Sequence, residues 1–165
     1  MMDFDTTKWR AARDQKYREW VGDPAAISYL LAIGDFSEFF DDLFDRDVPV
    51  TNDRIAKMLK LTVVDFPQNP FFITFKQQLL PLHTMVVSAW LDANDLERGS
   101  DMDKSRAYVL RDLAIELVLY VVQIVRGYSR MRELSLEIRR FFLHETLQEY
   151  TDDLAKKQGA SDDHR

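Results

Sequence analysis

Apolar residues at helical spacing run almost without interruption from Pro70 to Leu154, and this feature limits the possible fold more than any other. Its first part carries apolar side chains every three or four residues, a spacing that puts them on one side of a helix. They are Phe72, Phe75, Leu79, Leu82, Val86 and Ala89. Because the spacing stays in phase across Pro81, it predicts one helix over about 70–97, kinked at Pro81, and not two separate helices.

Two further long helices are predicted after it. Ser100, three residues before Asp103, resembles a capping box and predicts a helix over 101–126 that ends before Gly127. A third helix is expected over 129–154. The connections are short, so the three helices should be antiparallel neighbours. In the second helix, Leu113 to Val125 is apolar nearly all round, and we expect that helix to be central.

Shorter helices are predicted to cap this bundle at its N-terminal side. Asp23-Pro24 is typical of a helix start, and Gly34 predicts the end of that helix. The next segment has five apolar residues at helical spacing, which we expect to pack in the core: Phe36, Phe39, Phe40, Leu43 and Phe44. Four acids are expected to face away from them: Glu38, Asp41, Asp42 and Asp45. A short helix through Leu61 follows.

The whole pattern predicts an all-α protein. Five Gly and five Pro among 165 residues are too few for a fold rich in tight β-turns. The length suits a single domain, which we place at residues 1–155, with a frayed polar tail over 156–165.

Composition and charge restrict the compartment and the partners. The chain has no Cys, which fits a reducing compartment, and its acidic N-terminus lacks the apolar run of a signal peptide, so a cytoplasmic protein is expected. The most apolar run, Leu113 to Val125, is shorter than the roughly 20 residues that span a membrane. A net charge of −6 makes nucleic acid an unlikely partner. The eight acids between Asp23 and Arg54 lie beside the basic helices or simply face solvent, or else they form an acidic patch for a basic protein partner.

Glu116 is the residue whose placement most needs a reason. A carboxylate inside an apolar run is costly unless it is paired or reaches solvent. The sequence leaves two interpretations open. Glu116 lies on a narrow open stripe or pairs with an arginine such as Arg111 or Arg132, or else it belongs to a functional site.

Carboxylates on two successive helices suggest one such site. Asp92 and Asp95 precede a hairpin, and Asp112 and Glu116 follow it. The order resembles that of the all-α nucleoside triphosphate pyrophosphohydrolases, whose facing helices collect carboxylates around Mg²⁺. That family has Glu-x-x-Glu where this chain has Asp92-x-x-Asp95, and Glu-x-x-Asp where Asp112 and Glu116 stand four residues apart. The resemblance implies hydrolysis of a nucleotide with these four residues as metal ligands.

A second resemblance rests on Arg139 and His144, an arginine followed by four residues and a histidine. The spacing is similar to the Arg-x4–6-His signature of HEPN domains, which are small dimeric all-α modules that include RNases. The resemblance implies acid–base chemistry on RNA by Arg139 and His144 across a dimer cleft. Packing of Phe141 and Phe142, with His144 on the helix surface, explains the same residues without catalysis.

The sequence therefore favours a non-enzymatic protein-association module, acting as a homodimer, adaptor or inhibitor and needing no cofactor. Its expected partner-binding residues are Glu38, Asp41, Asp42 and Asp45. The alternative is a hydrolase of nucleotides or RNA.

Overall fold

The structure is a computed structural model that describes residues 6–45, 48–143 and 145–162, with the backbone alone at residues 6, 45 and 157–162. Its helices are α1 (Thr6–Trp20), α2 (Pro24–Asp45), α3 (Asn52–Lys60), α4 (Pro70–Leu96), α5 (Asp101–Leu110), α6 (Ile115–Arg126), α7 (Tyr128–Phe142) and α8 (Leu147–Asp162). A π-helical turn (Leu61–Asp65) and a 3-10 turn (Phe66–Gln68) connect α3 to α4. No strand occurs in these residues, so the all-α prediction is confirmed.

The backbone forms two compact units. Unit 1 comprises the chain up to Leu79 together with Val121–Tyr128, and unit 2 comprises Leu80–Tyr120 together with the chain from Ser129 onward. The single domain over residues 1–155 stays a prediction.

Of the three long helices predicted, only the first is continuous. Pro81 lies inside α4, as the unbroken apolar spacing predicted. The predicted helix 101–126 is instead α5 and α6, separated by a turn over residues 111–114. There the amides of Leu113, Ile115 and Glu116 donate to carbonyls three residues back, at 3.0–3.1 Å, in place of four. Such tightened turns need no Gly or Pro, so apolar spacing does not reveal them.

The predicted helix 129–154 is also divided, into α7 and α8. Thr146 caps α8: its hydroxyl accepts from the Glu149 amide at 3.2 Å, and the Glu149 carboxylate accepts from the Thr146 amide at 2.8 Å. This reciprocal pair is a capping box, so Thr146-x-x-Glu149 is a helix start that the sequence does contain. α8 then continues to Asp162, beyond the predicted end at Leu154.

Gly34 does not end a helix, contrary to prediction, because α2 runs through it to Asp45. A Cβ on Gly34 would lie 3.1 Å from the guanidinium of Arg13, which is buried against α2. The glycine therefore provides room for Arg13. Gly22 and Gly127 do end helices, with φ of 79° and 85°, the left-handed conformation that favours glycine.

Unit 1 is held together by a buried aromatic cluster around Tyr29. The Tyr29 ring is fully buried and lies 5.5–6.3 Å, between centroids, from Phe66, Phe71 and Phe72. Asn69 is buried beside them: its amide donates to the Ala25 carbonyl at 3.0 Å, and its oxygen accepts from the Phe72 amide at 3.0 Å. One side chain thus caps α4 and ties its start to α2.

Unit 2 has a smaller core in which Tyr150 of α8 packs against Ala93 and Ala107. The Tyr150 hydroxyl donates to the Glu97 carboxylate at 2.6 Å, and the Tyr108 ring lies 5.4 Å from the Tyr150 ring. Burial and the bond to Glu97 raise the pKa of Tyr150, so the hydroxyl stays protonated and can donate.

Replacing Asn69 by alanine should destabilise unit 1 more than the loss of an ordinary cap. Asn69→Ala removes the cap of α4 and the side-chain bond to the Ala25 carbonyl, for a total of about 1–3 kcal/mol in the free energy of unfolding. Urea unfolding followed by circular dichroism measures it. Thr51→Ala is the matched control, since Thr51 caps exposed α3 with one bond of 3.2 Å and should cost about 1 kcal/mol or less. Equal losses in the two variants would contradict the role assigned to Asn69.

Candidate functional site

The C-terminal half of α2 exposes its apolar side. The sequence predicted that this side packs in the core, and Phe39 does, at 6% exposed. Phe40, Leu43 and Phe44 do not: they are 46%, 40% and 53% exposed. The prediction was therefore wrong for the three residues nearest the end of the helix.

α3 carries further exposed apolar residues. The helix has no buried residue, and its apolar Ile55 and Leu59 are 45% and 63% exposed. Arg54 joins α3 to α2, since its guanidinium forms an ion pair with Asp42 and lies 5.7 Å from the centre of the Phe39 ring. We call the exposed residues of these two helices the α2–α3 surface: Phe40, Leu43, Phe44, Ile55 and Leu59.

The four acids predicted to bind a partner lie on the same part of α2. Glu38 forms an ion pair with Arg10, and Asp42 with Arg54, so both have partners within the chain. Asp41 is half-buried, and the side chain of Asp45 lies outside the described residues. The acids therefore lie on the same stretch of α2 as the exposed Phe40, Leu43 and Phe44.

The helix dipole makes this end of α2 strongly negative. Between Pro24 and Asp45 the helix carries five acids and no Lys or Arg. Three of the acids, Asp41, Asp42 and Asp45, lie at the C-terminal end, where the partial charge of the helix is also negative. Positive charge is therefore favoured there, and Arg54 of α3 supplies one such group.

The carboxylates proposed as metal ligands do not come together. Among the described residues, which include Asp92, Asp95, Asp112 and Glu116, no three His, Asp or Glu side chains are placed to hold a metal ion. Asp95 is 83% exposed and lies 3.6 Å from Arg98. The nucleotide hydrolysis that the pyrophosphohydrolase resemblance implies stays a prediction.

Glu116 pairs with Arg139, and not with Arg111 or Arg132. The Arg139 guanidinium donates to its carboxylate at 2.6 Å, and both side chains are about 40% exposed. The rest of α6 is among the most buried parts of the chain, as predicted: Leu117, Val118, Leu119, Val121 and Val122 are all buried. Glu116 thus lies on the open stripe of α6 that the first interpretation expected, and an ion pair this exposed is worth at most about 1 kcal/mol.

His144 lies outside the described residues, so catalysis by Arg139 and His144 stays a prediction. What the structure shows is that the guanidinium of Arg139 is engaged with Glu116. Among the described residues, no helix is both long enough and apolar enough to cross a bilayer. Comparisons of the chain with protein-family models, with curated proteins and with solved structures found no match.

Asp35 should make unit 1 less stable as the pH rises. Burial raises the pKa of Asp35 above its ordinary value, Arg13 opposes the shift and Glu38 adds to it. The folded chain therefore holds this proton more tightly than the unfolded chain. The contribution of Asp35 is most favourable below the ordinary pKa of about 4, and it is lost as the pH rises through the folded value.

In Asp35→Asn this loss disappears, so the variant should gain stability relative to wild type between about pH 4 and pH 7. Denaturant unfolding of both chains across that range measures the difference between their free energies of unfolding. The other groups titrate alike in the two chains, so their contributions cancel in this difference. A difference that stays flat, or that moves in favour of wild type, would contradict the raised pKa.

Proposed function

We propose that this chain is a non-enzymatic, cytoplasmic protein-association protein that binds a basic partner through the α2–α3 surface, as an adaptor or inhibitor does. The observation that carries the proposal is the exposure of Phe40 and Phe44 at the acidic end of α2. Single apolar residues are common on protein surfaces, whereas clustered rings with a polar rim mark interaction sites. Aromatic residues are also enriched at the centres of protein interfaces.

The lack of buried residues in α3 supports the same proposal. A helix of nine residues is marginal in water unless its apolar side is packed, and α3 has no buried residue. Its links to α2 run through Arg54, which leaves Ile55 and Leu59 available to a partner. A partner that covers these side chains and Phe44 would stabilise α3 as it binds.

The charge of α2 indicates the kind of partner. The helix carries five acids and no Lys or Arg, and ion pairs join Glu38 to Arg10 and Asp42 to Arg54. A partner with Lys or Arg beside its apolar residues would match the acids of α2 and the exposed rings on the same helix. An amphipathic helix with a basic border has this chemistry.

A synthetic peptide of Lys and Leu at helical spacing should therefore bind the wild-type chain, and fluorescence anisotropy of the labelled peptide measures its affinity. Added salt should weaken binding, since it screens the charges of the acids on α2 and of the Lys residues in the peptide.

Phe44→Ser combined with Leu59→Ser should weaken binding of the peptide at least about tenfold. Amides of α3 should gain protection in hydrogen exchange when the peptide is bound.

Two controls make this test specific. Val109→Ser in α5 replaces an equally accessible apolar residue, 69% exposed, and should leave affinity unchanged. A peptide with Glu in place of Lys should not bind. The proposal would be contradicted if the Lys–Leu peptide did not bind. It would also be contradicted if the variant with both Phe44→Ser and Leu59→Ser bound the peptide as tightly as wild type does.

The hydrolase alternative gives a different result in a thermal-shift screen. A ligand at 100 times its dissociation constant adds about 2.7 kcal/mol to the stability of the fold that binds it. With nucleoside triphosphates, short RNA, Mg²⁺ and Mn²⁺, we expect no shift in the unfolding midpoint. A shift that is lost in Arg139→Ala or Glu116→Gln would favour the hydrolase.

A further inference from the structure

α4 presents a long exposed face without charge. From Gln77 to Leu91 the sequence contains no Asp, Glu, Lys or Arg, although charged residues make up 30% of the chain. Nine of these residues are exposed: Gln77, Gln78, Leu80, Pro81, Thr84, Met85, Val87, Ser88 and Leu91. His83, which is partly buried, is the one titratable group from Gln77 to Leu91, and burial lowers its pKa, so the face is neutral at pH 7.

Within this face, four residues form a stripe along the helix. Leu80, Thr84, Val87 and Leu91 are separated by four, three and four residues, the spacing of the seam between two paired helices. The three apolar members are 49%, 55% and 44% exposed. We call these four residues the α4 stripe. Successive residues of a helix are rotated by about 100°, so Met85, although exposed, lies on another side of α4.

The spacing of the residues in the stripe is symmetric. If two copies of α4 lie antiparallel about a two-fold axis between Met85 and Val86, Leu80 of one copy meets Leu91 of the other, and Thr84 meets Val87. The same register brings Lys76 opposite Asp95, one turn beyond each end of the stripe. Both are exposed. A rotation of about 100° per residue along α4 puts each on the side of the helix that carries the stripe. Helices aligned in parallel would instead place Lys76 against Lys76 and Asp95 against Asp95.

From this pattern we infer that the α4 stripe is the binding surface for a second copy of the chain. The two α4 helices lie antiparallel, and an ion pair between Lys76 and Asp95 forms at each end of the stripe. A two-fold interface places each patch against itself, so like charges within it would repel. The α4 stripe avoids this because it is neutral, and its flanking charges are opposite in sign at the positions that meet. The acidic end of α2 is unsuited to self-association for the same reason.

The inference adds a second binding surface to the proposed association function. The two surfaces are tested separately, so either proposal can fail without the other. Wild type should show twice the mass of the chain in sedimentation equilibrium, with dissociation on dilution. Val87→Asp should weaken the dimer at least about thirtyfold, because a carboxylate would be buried at the centre of the seam. Met85→Asp is the matched control on the same helix and should dimerise as wild type does. Both positions are more than half exposed, so both variants should fold.

Charge reversal tests the antiparallel register. Lys76→Asp puts two Asp residues opposite each other at each end of the seam, and Asp95→Lys puts two Lys residues there, so each variant should dimerise about tenfold more weakly. Mixing the two variants should give mixed dimers in preference to either homodimer in native mass spectrometry, since every flanking pair is then of opposite sign. The double variant, with both changes in one chain, should recover wild-type affinity.

These outcomes separate the two proposals. The Phe44→Ser and Leu59→Ser double variant should remain dimeric, and Val87→Asp should still bind the Lys–Leu peptide. A wild-type chain that is monomeric at every concentration, or equal effects of Val87→Asp and Met85→Asp, would overturn the inference. So would charge-reversed variants that show no preference for mixed dimers.

Discussion

An α-helix can bury its apolar stripe only against another element, and this chain has more apolar helix surface than its described elements cover. α6 is buried on most sides, whereas α3 has no buried residue at all. The end of α2 and the middle of α4 fall between these extremes, each with one side packed and another exposed. The uneven coverage follows from an all-α chain without disulfides, in which each helix depends on its neighbours for burial.

Chemistry at helix ends made much of the secondary structure predictable. Asp23-Pro24, Ser100 with Asp103, and Gly127 each mark a boundary that the structure reproduces, because they supply a side-chain cap, a proline at a position where no N–H is needed, or a left-handed conformation. Gly34 shows the limit of this reasoning. A glycine can end a helix or make room for a neighbour, and Arg13, 21 positions earlier in the sequence, decides between these roles. Local sequence does not contain that contact.

The candidate sites were harder to predict for a related reason. Apolar spacing identifies which residues share a side of a helix, but it does not say whether anything covers that side. Phe39 and Phe40 are adjacent in the sequence, yet one is buried and the other is 46% exposed. Glu116 shows the converse case: it lies in an apolar run that predicts burial, and its carboxylate reaches Arg139 on α7 along an open stripe. In both cases the missing information is the position of a second helix.

Charge distinguishes the two exposed apolar surfaces. Hydrophobic burial is non-directional and would favour almost any apolar partner on either surface, so the choice of partner depends on what surrounds the apolar residues. Around Phe40 and Phe44, α2 carries acids without a single Lys or Arg, and a second copy of the chain would meet its own negative charge there. Around Val87 the surface is neutral, and the nearest charges on the same side of α4, Lys76 and Asp95, are opposite in sign and equally far from the centre of the α4 stripe. The same driving force can therefore favour a different protein at one surface and an identical chain at the other.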